Sequence, residues 1–154
     1  MGQLKPGDPA PPFELPDQNG TPVRLADYRG RKLLLYFYPK AHTPGCTKQS
    51  CAVRDALGSL EAYGAAAVGI SPDGPGAQGR FDTEYALGFP LLADEDHAVA
   101  EAYGVWAEKS MYGRTYFGIV RSSFMIDEEG RIAAAWYKVS PGDTVPNALA
   151  ALAS

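Results

Sequence analysis

The sequence has little cysteine and little histidine, two of each among 154 residues. Two cysteines are too few for a secreted disulfide scaffold. With His42 and His97 the only histidines, a four-ligand zinc site is a weak reading. Long apolar runs are missing too. The longest, Leu33 to Tyr38, is strand-sized and far short of the ~20 residues a membrane span needs. An excess of positive charge is also missing. Eighteen acidic residues stand against 14 basic ones, which leaves no basic footprint for nucleic acid. Four prolines between Met1 and Phe13 exclude the apolar core of a signal peptide. Pro6 stands where acylation of Gly2 would want Ser or Thr. The cytoplasm is therefore the expected location, where thiols stay reduced and a cysteine pair is catalytic or metal-binding more often than structural.

What is present is the composition of an ordinary globular chain, 45% hydrophobic and 21% charged. One domain spanning residues 1–154 is expected. Asp17-Gln18-Asn19-Gly20 separates Phe13–Leu15 from Val23–Leu25 and predicts a small N-terminal hairpin. Lys32–Tyr38 and Ala65–Ser71 read as buried strands, because they are continuous apolar runs bounded by turn residues. Helices are predicted over Cys46–Tyr63, Gln78–Leu87, His97–Tyr103 with Asp96 as cap, and Val145–Ala153. Pro90–Ala93 reads as a short strand, and Ser123–Asp127 with Arg131–Tyr137 as a hairpin around Glu128-Glu129-Gly130. Gly104–Val120 is aromatic and poorly periodic, and reads as an ordered loop. Strands alternating with helices, then a hairpin and a helix, point to an α/β domain with a mixed central sheet.

The segment from Tyr38 to Cys51 joins the first buried strand to the first helix. A cysteine at a helix N-terminus faces free backbone N–H groups and the positive end of the dipole, which favour the nucleophilic thiolate. Cys46 holds that place, behind Pro44-Gly45. Cys51 follows five residues later. On an intact helix that spacing separates the two Cα atoms by roughly 8–9 Å. A disulfide tolerates at most about 7 Å. The pair suits a cycle between a reduced helical shape and an oxidised unwound one. Other readings stay open here. Cysteine is often a small buried hydrophobe, and a threonine before a helix is often a plain cap. Arg121 beside a strand is often a surface residue.

Taken together, Pro39, Thr43 and Cys46 form Pro-x-x-x-Thr-x-x-Cys at a strand-to-helix junction. With Cys51 five positions on, this resembles the bacterioferritin-comigratory, or PrxQ, branch of the peroxiredoxins. Phe13–Asp17, Tyr36–Lys40, Gly104-Val105-Trp106, Met111-Tyr112-Gly113 and Arg121–Asp127 look like segments of the same family. The resemblance implies a thioredoxin-like fold with an added N-terminal hairpin, and a peroxidase without metal or cofactor. It implies that Cys46 is the peroxidatic thiolate and that Cys51 resolves its sulfenic acid into an intramolecular disulfide. Thr43 would bridge thiolate and peroxide, Arg121 would stabilise negative charge, and Pro39 would shield the sulfur. Hydrogen peroxide and organic hydroperoxides would be substrates, and thioredoxin or a similar dithiol protein the reductant. The branch suggests a monomer. A thioredoxin-like disulfide reductase and a redox-sensing binding module are the alternatives. His42 reads as a loop residue that tunes the site, and Trp106 and Trp136 as packing residues.

Overall fold

The computed structural model describes residues 3–154; Met1 and Gly2, and with them the acylation reading at Gly2, lie outside the described residues. The chain begins with β1 (Glu14–Pro16) and β2 (Pro22–Arg24), which pair antiparallel. Asp17 closes their connection, its carboxylate accepting from the Asn19 and Thr21 amides at 2.8 and 3.0 Å. The predicted hairpin is present, but its second strand stops at Arg24. Leu25–Tyr28 forms a 3-10 turn instead, whose Asp27 side chain accepts the Arg24 N–H at 2.9 Å.

There follow β3 (Lys32–Phe37), α1 (Pro44–Ala62), β4 (Ala65–Ser71), α2 (Pro75–Tyr85), β5 (Leu91–Ala93) and α3 (Ala98–Ala102). The chain ends with β6 (Trp106–Met111), β7 (Arg114–Ile119), β8 (Ser122–Ile126), β9 (Ile132–Trp136) and α4 (Thr144–Ala153). Five strands make the central sheet in the order β5-β4-β3-β8-β9. β3, β4 and β5 run parallel, while β8 is antiparallel to β3 and to β9. The sheet is mixed, as expected.

β3 is apolar on both sides because it is covered on both sides. Leu33, Leu35 and Phe37 enter a core with Tyr103, Val105, Ile119 and Phe124. Leu34, Tyr36 and Tyr38 enter a second core beneath α1, α2 and α4, with Cys46, Val53, Leu60, Phe81 and Ala148. Trp106 and Trp136 are partly buried against these two cores.

Two expectations are corrected. Gly104–Val120 is not a loop but mostly the β6–β7 hairpin. Its turn is Tyr112-Gly113, with φ of 53° and 78°, the left-handed pair that a tight two-residue hairpin requires. β7 is mostly exposed and β6 half so, with Ile119 alone fully buried, so no alternation of apolar and polar residues betrays them. The second correction concerns the cap of α3. Asp94, not Asp96, does most of that work, accepting from the Val99 and Ala100 amides at 3.2 and 2.8 Å. Asp96 reaches only the Ala98 amide at 3.2 Å, because the chain reverses at His97, with φ of 52°, before the helix begins.

Candidate active site

Sheet topology brings the site together. β8 runs antiparallel to β3 with Ser122 opposite Phe37. Arg121, just before β8, therefore lies at the same sheet end as Tyr38, where the chain turns toward α1. Both Cys46 and Cys51 sit on α1, and both thiols are free. Cys46 is fully buried in its first turn, while Cys51 is partly buried against the core under α2. The first helical bond runs from the Thr47 N–H to the Thr43 carbonyl at 2.8 Å, so the amides of Gly45 and Cys46 precede the ladder.

Arg121 reaches the sulfur. Its Nη1 stands 3.4 Å from Cys46 Sγ and also donates to Gln49 Oε1 at 2.7 Å. Gln49 in turn donates to Thr144 Oγ1 at 2.8 Å, which ties the guanidinium to the start of α4. Gly45 makes room for this approach. A Cβ there would stand 3.0 Å from Arg121 Nη2 and 3.3 Å from Pro141 Cγ. Gln49 is a residue that sequence reasoning missed. It lies three positions after Cys46, on the same helix face, and that spacing was the available signal.

Thr43 occupies the N-cap position but does not cap with its side chain. Its hydroxyl donates to the Lys40 carbonyl at 2.7 Å. The single hydroxyl proton is thereby committed to that carbonyl, and the oxygen keeps lone pairs that can accept from another donor. Pro39 is half-buried directly after Tyr38. His42, with φ of 68°, turns toward α2, where its Nε2 lies 2.9 Å from Glu84 Oε2 and its ring packs on Phe81 at 5.1 Å. It belongs to the loop's support rather than to the sulfur's surroundings.

That loop is anchored from beneath by a buried polar network. The Tyr38 hydroxyl donates to Gln78 Oε1 at 2.5 Å, and the Gln78 amide donates to Ser71 Oγ at 2.9 Å and to the Leu92 carbonyl at 3.0 Å. Ser71 donates to Asp73 Oδ2, which also accepts the Ala41 N–H, both at 2.7 Å. Every member is satisfied, which is the condition under which buried polar groups rigidify a site. On the hairpin side, Lys109 donates to the Ile119 carbonyl at 2.7 Å. Burial, then the nearby Arg121 charge, pushes its ammonium below the ordinary lysine range. Arg121, Lys109 and Lys138 line a cleft of about 480 Å³. Nothing in the sequence around Lys109 points to it, because β6 carries no buried residue that would mark it as a strand.

Residues 6–135 match the model of the AhpC/TSA family. The chain belongs to that family, in the Bcp/PrxQ branch of the peroxiredoxins. It is 53% identical to peroxiredoxin Bcp of Escherichia coli K12 over 132 residues, covering 86% of this chain and 85% of that protein. A mutant of Xylella fastidiosa PrxQ is 33% identical, with a TM-score of 0.91 and complete coverage of both chains. A bacterioferritin comigratory protein of Xanthomonas campestris, solved in work on its alkyl peroxide reduction activity, is 35% identical with a TM-score of 0.86. That match covers 92% of this chain and 90% of the other. The peroxiredoxin thus has the expected thioredoxin-like fold with its N-terminal hairpin, and it is an enzyme. No described helix is long and apolar enough to cross a membrane.

Proposed function

We propose that this peroxiredoxin reduces hydrogen peroxide and organic hydroperoxides through Cys46, with Cys51 as resolving thiol. The observation that carries this is the guanidinium of Arg121, 3.4 Å from a fully buried sulfur in the first turn of α1. A fixed positive charge there stabilises the negative charge that develops on a departing oxygen. The thiolate attacks one peroxide oxygen, the O–O bond breaks, and its electron pair leaves with the second oxygen as hydroxide or alkoxide, which takes up a proton. Cys46 is then a sulfenic acid. Thr43 Oγ1 accepts the peroxide O–H, while Pro39 and the pinned loop keep bulk water from the sulfur.

Cys51 then attacks the sulfenic sulfur, and water leaves as the disulfide forms. Helical spacing forbids that bond while α1 is intact, so its first turns unwind. A dithiol protein of the thioredoxin type restores both thiols by exchange. The alkyl peroxide reduction associated with the Xanthomonas protein supports the organic arm of this reading. The chain acts as a single-domain monomer in a reducing compartment such as the cytoplasm.

The test is peroxide consumption with dithiothreitol or thioredoxin as donor. Cys46→Ser abolishes turnover with either donor, whereas Cys51→Ser, with thioredoxin as donor, consumes one equivalent and is not recycled. A wild type that consumes no peroxide with either donor refutes the reading.

A further inference from the structure

Between the two cysteines α1 buries two polar side chains, Gln49 and Ser50. Gln49 is accounted for by Arg121 and Thr144. Ser50 has no part in the chemistry above, yet its Oγ lies 2.7 Å from the Tyr36 hydroxyl, with both residues fully buried. Tyr36 is set firmly in β3. Its cross-strand partner on β4 is Gly69, and a Cβ at that glycine would stand 2.8 Å from Tyr36 Cζ and 2.9 Å from its hydroxyl. The ring also packs on Tyr38 and Phe89, with centroids 5.6 and 6.2 Å apart. Burial pushes the phenol well above its ordinary range, so it stays a neutral hydroxyl.

We propose that the buried Tyr36–Ser50 hydrogen bond is a latch on the first turns of α1 that sets how fast the Cys46 sulfenic acid is resolved. Tyr36 and Ser50 are positioning residues for that step, and the proposal rests on the function read above. The step is Cys46–SOH plus Cys51–SH giving the Cys46–Cys51 disulfide and water. Ser50 adjoins Cys51, so the unwinding that carries Cys51 to Cys46 also removes Ser50 Oγ. Tyr36, held in its glycine slot on the central strand, cannot follow. Opening therefore breaks a buried bond and strands a hydroxyl, and without the latch the opened state is about 5- to 10-fold more populated. A slower resolution leaves the sulfenic acid longer in reach of a second peroxide, which drives it on to sulfinic acid.

The experiment compares the reduced wild type with Tyr36→Phe, Ser50→Ala and a control, Tyr103→Phe. The control loses a comparable hydroxyl bond, to the Pro11 carbonyl at 2.8 Å, in the opposite core. Stopped-flow mixing with hydrogen peroxide separates a peroxide-dependent phase from a peroxide-independent one. Acid-quench mass spectrometry assigns the second phase to disulfide formation. Tyr36→Phe and Ser50→Ala are expected to resolve about 5- to 10-fold faster, and to accumulate less sulfinic acid at high peroxide. Tyr103→Phe is expected to resolve at the wild-type rate. Resolution within about twofold of wild type in both latch variants, or an equal gain in the control, overturns the latch. If Tyr36→Phe does not fold, Ser50→Ala decides alone. A wild type with no disulfide phase at all overturns the function and the latch together, whereas normal wild-type phases with unchanged variants overturn the latch only.

Discussion

Removing the charge beside Cys46 is the sharpest test of the proposed chemistry. Arg121→Gln deletes the guanidinium but keeps a polar side chain of moderate length. At the observed 3.4 Å, a unit charge pair in an effective dielectric of 20 is worth about 5 kcal/mol. The guanidinium charge is delocalised, Arg121 is only half-buried, and Gln49 Oε1 takes a share of it at 2.7 Å. About 2–3 kcal/mol then remains at the sulfur and the departing oxygen, or about 30- to 150-fold in rate. The second-order rate with hydrogen peroxide should fall by that factor. Alkylation by iodoacetamide should fall less, because that reaction reports the sulfur alone and develops no charge on a peroxide oxygen. Thermal melting of the variant guards against an unfolded site. The main-chain bond from the Val139 N–H to the Arg121 carbonyl, 2.9 Å, does not depend on the side chain and should preserve the local backbone. A folded Arg121→Gln protein reacting with peroxide within about threefold of wild type would refute the electrostatic argument.

Other outcomes follow from the same geometry. Gly69→Ala should destabilise the fold by about 1–3 kcal/mol in denaturant melts, because the new methyl meets the packed Tyr36 ring; an unchanged midpoint would contradict the glycine-slot argument. Asp94 titrates above its ordinary 3.8, chiefly through burial and despite the amides of Ala100 and Val99. A raised folded value favours folding below 3.8 and loses that contribution as pH climbs through the folded value. The stability of wild type minus that of Asp94→Asn should therefore decline with rising pH across this range, and a flat or rising difference would count against it. Oxidation of Cys46 and Cys51 should raise amide exchange from Thr43 to Asp55, and equal protection in both redox states would sink the unwinding step.

The site's local grammar was legible because it is written contiguously. Pro39, Thr43, Cys46 and Cys51 lie in one strand-to-helix segment, where punctuation by proline and glycine marks the boundary and helical geometry fixes the cysteine separation. The central strands were legible because burial on both faces leaves an uninterrupted apolar run from Leu33 to Tyr38. What escaped notice depends on long-range contact. Gln49 looks like any polar helix residue until α4 brings Thr144 and β8 brings Arg121. Ser50 and Tyr36 meet only because β3 runs beneath α1. The β6–β7 hairpin escaped for the opposite reason: its residues are mostly exposed, so no core imposes a pattern on them.

The proposed function makes two conflicting demands on α1, and the anchoring suits both. In that proposal Cys46 needs a fixed charge and a dry, ordered turn for its first reaction, and Cys51 needs that same turn to come apart for the second. The contacts that hold the turn, Gln49 to Thr144, Arg121 to Gln49 and Tyr36 to Ser50, all involve residues of α1 between the cysteines or their direct partners. The contacts that hold the preceding loop run instead through Tyr38, Gln78, Ser71, Asp73 and the Ala41 amide, and none involves α1. Unwinding therefore breaks the first group and leaves the second intact. His42, held by Glu84 and Phe81, and Thr43, whose hydroxyl is held by the Lys40 carbonyl, belong to the second group as well, so the proposed cycle puts the hinge between Thr43 and Cys46, where Pro44 begins the helix without an amide to lose. In the proposed cycle the loop thus keeps its shape while the helix opens, and the site re-forms around the same anchor once the thiols are restored.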